Sequence, residues 1–560
     1  MDSDMPPDIY VPLNCPGTDP MVSVECNGNS QVCCVNAQGA PTCVARVMCF
    51  SPFLCDDASI EQPSADNNCT FRAPLNPGQL ATHLDIATAA DGTVMLSGYS
   101  AGIAPRSRFG DLVVGRVENG EVSWSIIDGV PEGTPLTQGG FAAIESGWRG
   151  GILPAGDNVG EFNAIAFNGN TVAISYYDRT NGDLKYASST DGGTTWSIHT
   201  VFTDGDSGRY SSLAFMVDGR PAISFLTMMP SEDPGQPAPG CTQGCPRSLP
   251  RVAVASSLTP SSAADWVTFP IVAEPGTAIA CRADLCGDGL VCRADGGCGL
   301  TSADADIDCS HVDSDGVTQP GCGSGTRCLS AADGVTFSCS AVTPDEFIED
   351  VPEVNGLYTA LRATNTGLAL VWHDRVRRTL LGSAFDASNM TWRAPFRIDG
   401  FDAGRGGDSG YNADLFIDAA GNWHVVYVDG AFEELRHAQI DGTTLGNANP
   451  NMVRTMIDDG TRPPRERSII GSDADIAVLA SGEVRVVYQD STQSEALLAV
   501  REAGQTAWIL QGGTQGDPLD DTDSTGYWTT QALGGDTSFI ATWWFNANEG
   551  TNGTRVFTIP

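Results

Sequence analysis

The sequence predicts an all-β fold, a seven-bladed β-propeller with small disulfide-rich modules, and three observations support this prediction. Residues 162–201 contain four short apolar or alternating runs separated by turns rich in Asn, Asp and Gly, the pattern of a four-stranded antiparallel sheet. Units of this kind recur at a spacing of about 50 residues, as propeller blades do. Long stretches with helical periodicity are scarce.

The blade count follows from the glycine that closes the first turn of each unit. A short first strand precedes this glycine, and a second strand rich in Val, Ile and aromatic residues follows it. The seven aligned turns are Asp91-Gly92, Asn168-Gly169, Asp218-Gly219, Thr366-Gly367, Ala420-Gly421, Ser481-Gly482 and Gly534-Gly535. Six blades is the alternative count. The last unit ends after its third strand, and we expect residues 69–73 to supply the missing outer strand.

The domain boundaries follow the distribution of cysteine. Residues 1–78 form a Cys-rich N-terminal module, 79–275 hold blades 1–3, 276–350 are a Cys-rich insertion, and 351–560 hold blades 4–7. An insertion of this size is expected to leave from a loop between blades, because a break inside a sheet leaves ladder hydrogen bonds unmade.

The 18 cysteines occur in three even-numbered groups, which predicts disulfide bonds formed in an oxidising compartment. Zinc is the competing interpretation, but the ligand spacings are poor and the chain has only 6 His. The predicted disulfide cysteines are Cys15, Cys26, Cys33, Cys34, Cys43, Cys49, Cys55, Cys69, Cys241, Cys245, Cys281, Cys286, Cys292, Cys298, Cys309, Cys322, Cys328 and Cys339.

Charge and hydropathy narrow the choice of partners and location. A formal net charge of −39 argues against nucleic acid and anionic lipid, both of which need a basic surface. No apolar run reaches the roughly 20 residues of a membrane span. Together with the disulfides, these features predict a secreted or cell-surface protein whose signal peptide has been removed.

The most specific motif is a turn of the Asp-box type, Ser-x-Asp-x-Gly-x-Thr-Trp. Its fixed positions are Ser189, Asp191, Gly193, Thr195 and Trp196. Asp191 is expected to accept hydrogen bonds from turn N–H groups and from Thr195, while Trp196 anchors the turn between sheets. This motif predicts architecture and carries no catalysis.

The chain resembles the sialidase-like BNR/Asp-box repeat propellers, many of them secreted by bacteria. The resemblance rests on ISYYDRTNGDLKYA and GDSGRYSSLAF, within residues 174–215, and it implies a propeller in an extracellular setting. A sialidase also has an arginine triad and an Arg-Ile-Pro type motif. Here Phe71-Arg72-Ala73-Pro74 has Ala in place of Ile, and no triad spacing is evident.

Repeated aspartates are the candidate functional residues. Asp85, Asp414 and Asp475 occupy the same first-strand position, and Asp178, Asp374, Asp429 and Asp490 end second strands. With Tyr210, Tyr411 and Trp528 they are expected to form an acidic channel rim that binds a ligand, or that supplies acid and base for glycoside cleavage. The alternative is that these aspartates accept hydrogen bonds within turns and recur because the blade recurs.

The Cys-rich insertion also contains alternating carboxylates typical of hard-cation loops. Asp304, Asp306, Asp308, Asp313 and Asp315 are candidate calcium ligands, although no EF-hand register is present. No other cofactor is predicted.

The leading functional prediction is a non-catalytic extracellular protein that binds a glycan or a protein. A component of a self-assembling surface structure is a variant of this prediction. The alternative is a carbohydrate-active enzyme, a glycoside hydrolase or lyase, that uses the rim carboxylates.

Overall fold

In a computed structural model, almost all of the described secondary structure is β-strand. Side chains are described for residues 80–101, 110–118, 120–130, 156–228, 248–271, 354–375, 377–400, 407–447, 449–462, 467–511, 518–546 and 551–560. Residue 79 and the short strands of segments 1–78 and 276–350 are described as backbone only. Within this described part the helical elements are two single 3₁₀ turns, Ala263–Asp265 and Gly442–Thr444.

The N-terminal segment contains three two-stranded antiparallel pairs. They are β1 (Pro12–Pro16) with β2 (Ser23–Asn27), β3 (Gln31–Val35) with β4 (Pro41–Ala45), and β5 (Phe53–Leu54) with β6 (Thr70–Phe71).

The first three blades are four-stranded antiparallel sheets. Blade 1 consists of β7 (Gln79–Thr88), β8 (Val94–Ala101), β9 (Gly110–Glu118) and β10 (Glu121–Asp128). Blade 2 consists of β11 (Val159–Asn168), β12 (Thr171–Asp178), β13 (Asp183–Ser189) and β14 (Ser197–Phe202). Blade 3 consists of β15 (Asp206–Phe215), β16 (Pro221–Met228), β17 (Ser248–Ala255) and β18 (Trp266–Pro270).

Three short hairpins follow in the Cys-rich insertion. They are β19 (Val291–Cys292) with β20 (Cys298–Gly299), β21 (Ser310–Val312) with β22 (Thr318–Pro320), and β23 (Thr326–Ser330) with β24 (Phe337–Ala341).

Four further blades complete the ring. Blade 4 consists of β25 (Asn355–Thr364), β26 (Gly367–Asp374), β27 (Thr379–Asp386), β28 (Thr391–Trp392) and β29 (Phe396–Gly400). Blade 5 consists of β30 (Ser409–Ile417), β31 (Trp423–Asp429), β32 (Glu434–Ile440) and β33 (Met452–Asp458). Blade 6 consists of β34 (Ile470–Val478), β35 (Val484–Asp490), β36 (Glu495–Arg501) and β37 (Ile509–Leu510). Blade 7 consists of β38 (Ser524–Gly534), β39 (Thr537–Asn546) and β40 (Thr551–Ile559).

This arrangement confirms the predicted seven-bladed all-β propeller. The ring closes between blades 7 and 1, where Leu80 N donates to Asn552 Oδ1 (3.1 Å) and Trp543 Nε1 donates to Leu80 O (2.9 Å). The prediction that residues 69–73 complete the last blade is wrong. Thr70–Phe71 pairs with Phe53–Leu54, and β40 is the outer strand of the three that the structure describes in blade 7.

The apolar core lies between neighbouring blades. The alternating apolar residues of one sheet pack on those of the next, as in the layer that joins blades 4 and 5, where Val371 and Trp423 are fully buried. Three second-strand tyrosines, Tyr176, Tyr427 and Tyr488, donate hydrogen bonds to aspartates near the end of the last strand of the preceding blade. Burying an aromatic ring together with a satisfied hydroxyl stabilises each of these layers.

In every blade, β-bulges interrupt the pairing of the first strand with the second strand at equivalent places, so equivalent residues of the seven first strands can be identified. We call the position of Asp85 in blade 1 the waist position, because it and its equivalents pair with the middle of each second strand. The waist residues of blades 1 to 7 are Asp85, Ala164, Ser212, Ala360, Asp414, Asp475 and Thr530.

Two positions before the waist adopt left-handed backbone conformations in the blades. Four residues upstream, six blades have glycine and blade 1 has Ala81 (φ 59°). A Cβ on Gly208 (φ 117°) would lie 3.1 Å from the Cα of Leu184 in the preceding sheet, so glycine here allows the blades to approach. Two residues upstream, a side-chain-bearing residue has φ between 47 and 52° in all seven blades, and we call this the collar position.

The Ser189–Trp196 turn lies between the third and fourth strands of blade 2. Asp191 accepts hydrogen bonds from Ser189 Oγ (2.6 Å), Thr195 N (2.9 Å) and Thr195 Oγ1 (2.7 Å). These bonds hold the pKa of Asp191 far below its ordinary value. Gly193 has φ 89°, and its carbonyl accepts a hydrogen bond from Trp196 Nε1. The turn therefore has the local architecture expected from its residues.

Candidate functional site

The two faces of the propeller differ in their connections. First and second strands, and third and fourth strands, are joined on one face by turns such as Asn168–Thr171 and Ser189–Ser197. The start of each first strand lies on the opposite face, which we call the collar face. The connections 129–158, 229–247 and 271–354 all join strand ends on the collar face. Because long connections most often carry function, the collar face is the candidate functional face.

The collar itself is an arc of aromatic rings with a polar gap. In order from blade 7 through blades 1 to 6, its residues are Trp528, His83, Phe162, Tyr210, Tyr358, Asn412 and Asp473.

Neighbouring collar rings touch one another around the arc. The ring centroids are 5.4 Å apart for Trp528 and His83, 5.0 Å for His83 and Phe162, 4.7 Å for Phe162 and Tyr210, and 5.0 Å for Tyr210 and Tyr358. Burial lowers the pKa of His83, which keeps this imidazole an uncharged member of the arc at neutral pH. Apart from the buried Tyr210, these rings are half-buried.

The waist lies one step deeper than the collar and contains three of the predicted aspartates. Asp85, Asp414 and Asp475 belong to blades 1, 5 and 6, and Thr530 of blade 7 lies between the first and the last of them. Two residues further along the strands, the blades have Ala87, Ala166, Ala214, Arg362, Phe416, Ala477 and Ala532. Arg362 is thus the one cation at these equivalent positions, and its Nη2 donates to Asp414 Oδ1 at 2.7 Å.

Each waist carboxylate also receives a backbone hydrogen bond from the next blade. Asp85 Oδ2 accepts from Ile165 N (2.8 Å), and Asp414 Oδ2 accepts from Ile476 N (3.2 Å). Asp475 Oδ2 accepts from Gln531 N (3.0 Å). The three carboxylates are therefore fixed in orientation by the ring itself.

Thr530 joins two of these carboxyl groups. Its Oγ1 lies 3.1 Å from Asp85 Oδ1 and 2.9 Å from Asp475 Oδ2. A hydroxyl has one proton to donate, so both contacts are satisfied as hydrogen bonds when one of the two carboxyl groups is protonated. The two carboxyl oxygens lie at most about 6 Å apart, since both contact the same hydroxyl.

The charge balance of the waist raises the affinity of its carboxyl groups for protons. Burial, followed by the charge of Asp414, raises the pKa of Asp475 well above its ordinary value. Burial also raises the pKa of Asp85, although hydrogen bonds and Arg362 oppose the increase. Burial disfavours the charge of Arg362, but the nearby aspartates outweigh this effect and raise its pKa.

Solvent reaches the waist, although several charged side chains lie close together there. The Arg362 side chain is 35% exposed and that of Asp414 is 14% exposed. Among the described residues, nothing hydrogen-bonds Asp475 Oδ1, since both of its contacts use Oδ2. A carboxyl oxygen without a protein partner is available to exchange a proton with a ligand.

The aspartates that end second strands lie in a different setting. Asp178 Oδ1 accepts from Asn181 N (3.1 Å), and Asp490 Oδ1 accepts from Thr492 N and Gln493 N (both 3.0 Å). Asp374 pairs with Arg377 in its own turn, and Asp429 accepts from Asp408 N and Ala431 N. All four are almost fully buried. These contacts are the Asx turn interactions that we gave as the alternative, and the candidate site does not include these residues.

Two of the three predicted aromatic residues lie in the collar and the third lies next to it. Tyr210 and Trp528 belong to the collar, whereas Tyr411 lies beside it, 6.2 Å from Tyr358 between ring centroids. Tyr411 donates a hydrogen bond to Asp408 (2.9 Å), which also lies 3.2 Å from His373 Nε2. Burial, with the charge of Asp408, raises the pKa of Tyr411 far above neutrality, so its hydroxyl stays protonated.

Other predicted sites fall outside the described side chains. These are the calcium candidates Asp304, Asp306, Asp308, Asp313 and Asp315, and all 18 predicted disulfide cysteines. Within the described residues, no three His, Cys, Asp or Glu side chains converge to hold a metal ion, and no helix is long and apolar enough to cross a membrane.

Sequence reasoning missed Arg362 and most of the collar. Phe162, Tyr358 and Asp473 carry no motif of their own, but the strand register contains a usable signal. Each lies two residues before the waist and two after a glycine, as in Gly160-Glu161-Phe162 and Gly356-Leu357-Tyr358. Aligning the six first strands that have this glycine places their collar residues in one column, and His83 of blade 1 joins that column because Ala81 stands in the place of the glycine.

Comparisons with known proteins found similarity only among solved structures. No family model and no curated protein matches the sequence. A protein of unknown function from Dyadobacter fermentans is 10% identical with a TM-score of 0.36, over 87% of this chain and 96% of that one. The GH93 α-L-arabinofuranosidase of Fusarium graminearum, in complex with arabinobiose, is 9% identical with a TM-score of 0.38, over 87% and 95%. The Hadza microbial sialidase Hz136 is 8% identical with a TM-score of 0.33, over 67% and 61%.

At these levels of identity the likeness concerns the fold alone. Several similar structures are named as glycoside hydrolases, including an α-L-arabinanase of Penicillium chrysogenum. These names run against our leading prediction of a non-catalytic binding protein, and that prediction is not carried forward.

Proposed function

We propose that the protein is a glycoside hydrolase whose active site is the waist, entered through the collar. The observation that carries this proposal is the unequal setting of two neighbouring carboxyl groups. Asp414 is paired with Arg362 at 2.7 Å, whereas Asp475 is half-buried beside Asp414, has no cation in hydrogen-bond contact among the described residues, and has its pKa raised well above the ordinary value. Two neighbouring carboxyl groups in unequal electrostatic settings are what acid-base cleavage of a glycoside needs.

The roles follow from these settings. Asp475, whose pKa is raised and whose Oδ1 is open to a ligand, donates its proton to the departing glycosidic oxygen as the bond to the anomeric carbon breaks. Asp414 supplies the negative charge that stabilises the oxocarbenium-like transition state, and Arg362 positions it. A water molecule then attacks the anomeric carbon and gives a proton back to the Asp475 carboxylate. Asp85 lies on the other side of Thr530 and shares the proton held there. The collar rings flank the sugar on its way to these groups.

The proposed setting of the enzyme is extracellular, and its partner is a glycan. The Ser189–Trp196 turn supports placing the chain with the Asp-box repeat propellers, and the even cysteine groups support secretion. The names of the similar structures suggest arabinobiose and linear arabinan as the first substrates to assay.

The test is sugar release from arabinan, other neutral polysaccharides and sialyllactose by the full chain. We expect Asp475→Asn to lower the rate at least about 100-fold, as loss of a general acid does. Activity should also fall as pH rises through the raised pKa of Asp475, because the acid must be protonated to act. Asp414→Asn should likewise abolish turnover.

Asp429→Asn is the control, since Asp429 is a buried aspartate that serves a turn and lies outside the waist. It should leave the rate within about threefold of the unmodified protein, a small change beside the loss of a general acid. Turnover that survives both Asp475→Asn and Asp414→Asn, or no turnover on any glycan, would refute the proposal.

A further inference from the structure

We infer that the collar is a subsite for an uncharged sugar, bound with its apolar face on the aromatic arc and its hydroxyl edge toward the polar gap. This inference names the substrate class of the proposed active site and rests on that proposal. It commits to neutral glycans over glycans that carry carboxylates or sulfates.

The arc provides a continuous apolar surface of the kind that sugar rings use. Five aromatic rings succeed one another at centroid spacings of 4.7 to 5.4 Å across blades 7, 1, 2, 3 and 4. Trp528, Phe162 and Tyr358 are half-buried, so they retain accessible surface at the mouth of the channel. Rings fixed in this way offer amphipathic contact area at low entropic cost.

The other two blades present polar groups at the same level. Asn412 and Asp473 occupy the collar positions of blades 5 and 6, directly above the waist residues Asp414 and Asp475 of the same strands. The Asp473 carboxylate accepts a hydrogen bond from Trp528 N (2.7 Å), which fixes it at the end of the arc. A sugar on the arc therefore meets hydrogen-bonding groups on the side where the proposed acid lies.

Charge decides between neutral and anionic sugars. The collar and waist together hold four aspartates, Asp85, Asp414, Asp473 and Asp475, against the one guanidinium of Arg362, whose Nη2 already contacts Asp414. A sugar carboxylate entering here approaches a surplus of negative charge without a free cation at the equivalent positions of the other blades. Hydroxyl groups carry no such penalty, and they can both donate to and accept from the polar gap.

Because the backbone at the collar is left-handed, glycine can replace a collar residue without backbone strain. Glycine adopts φ near +50° without strain, so Trp528→Gly and Tyr358→Gly remove a ring and keep the bulge. Ser494→Gly is the matched control, because Ser494 (φ 58°) has the same backbone conformation in a turn without an aromatic ring. All three are made in the Asp475→Asn background so that bound glycan is not cleaved.

Binding is measured by native affinity electrophoresis of the full chain. The gels contain neutral polysaccharides (linear arabinan, arabinoxylan, galactomannan) or anionic ones (polygalacturonate, alginate, polysialic acid). We expect retardation by at least one neutral polymer, by none of the anionic ones, and up to about tenfold weaker retention for each ring-deleted variant, the effect of one aromatic contact. Ser494→Gly should bind like its parent.

The outcomes separate this inference from the proposed function. Binding of a neutral glycan that depends on the collar, in a protein that cleaves nothing, would support the subsite and refute hydrolysis. Trp528→Gly and Tyr358→Gly are also made in the chain that retains Asp475, and cleavage of a glycan that neither substitution changes there would overturn the subsite and leave hydrolysis standing. Retardation by none of the neutral polymers, or equal retardation by the anionic ones, would also overturn it.

Discussion

Replacing Arg362 with Met tests whether the waist behaves as a charge cluster. Arg362 is the countercharge of Asp414 and the nearest cation of Asp85 and Asp475. Removing one partner of a fully buried ion pair costs about 3–5 kcal/mol, and an exposed pair contributes about 0–1 kcal/mol. Because 35% of the Arg362 side chain is exposed, we expect a loss of about 1–3 kcal/mol in the free energy of unfolding at pH 8.

The cost should depend on pH with a defined sign. Burial raises the pKa of Asp85 and of Asp475 above that of the unfolded chain, and removing Arg362 raises both further. The folded variant then binds more protons than the unfolded one, so its stability falls as pH rises from about 4 through the raised pKa values. Urea unfolding followed by tryptophan fluorescence at pH 4, 6 and 8 should show the smallest loss at pH 4.

A double mutant isolates the pair. Adding Asp414→Asn to Arg362→Met removes the unpaired charge but keeps an oxygen that accepts from Ile476 N, so at least half of the lost stability should return. Arg179→Met removes the partner of Glu161 whose side chain is 58% exposed, and it should change stability by less than about 0.5 kcal/mol. An equal loss at pH 4 and pH 8, or no recovery in the double mutant, would refute the reasoning.

Two further predictions concern residues away from the waist. Tyr488→Phe removes a hydrogen bond of 2.7 Å to Asp458, but Asp458 keeps its pairing with Arg462. Urea unfolding should therefore show a loss of about 1 kcal/mol in the free energy of unfolding, with unchanged sugar release. A catalytic defect would contradict the purely structural role of Tyr488. Burial holds the pKa of His437 well below that of histidine in the unfolded chain. The unfolded chain therefore binds this proton first, and stability is lost as pH falls below about 6.5. His437→Leu should flatten this part of the pH–stability curve, and an unchanged slope would contradict the prediction.

The blade count was predictable because each blade repeats local signals that act over a few residues. The turn glycines, such as Gly169 (φ 60°) and Gly219 (φ 87°), adopt a left-handed conformation between paired strands, as the Asn-Gly and Asp-Gly dipeptides indicate. The outer strand of blade 7 was not predictable in this way. Strand exchange between chain ends depends on long-range pairing, and Thr70–Phe71 pairs locally with Phe53–Leu54 instead.

The candidate site was only partly predictable for a related reason. The equivalence of Asp85, Asp414 and Asp475 followed from register within single strands. The contact of Arg362 with Asp414 joins residues of different blades, and the arc from Trp528 to His83 joins the last blade to the first. Such contacts depend on the closure of the ring, which no local pattern encodes.

Comparing equivalent positions of the seven first strands shows which of their features the fold requires. The left-handed collar backbone occurs in all seven blades and therefore belongs to the architecture. A carboxylate at the waist does not, because Ser212 Oγ accepts the equivalent inter-blade hydrogen bond from Leu361 N (3.0 Å), and two blades have alanine there. A serine hydroxyl satisfies that N–H without the cost of burying a charge. The three aspartates and the single Arg362 thus exceed what closure of the ring needs, and they break its sevenfold repetition on the face where the aromatic arc lies. Asymmetry of this kind is what directional proton transfer to a bound sugar requires.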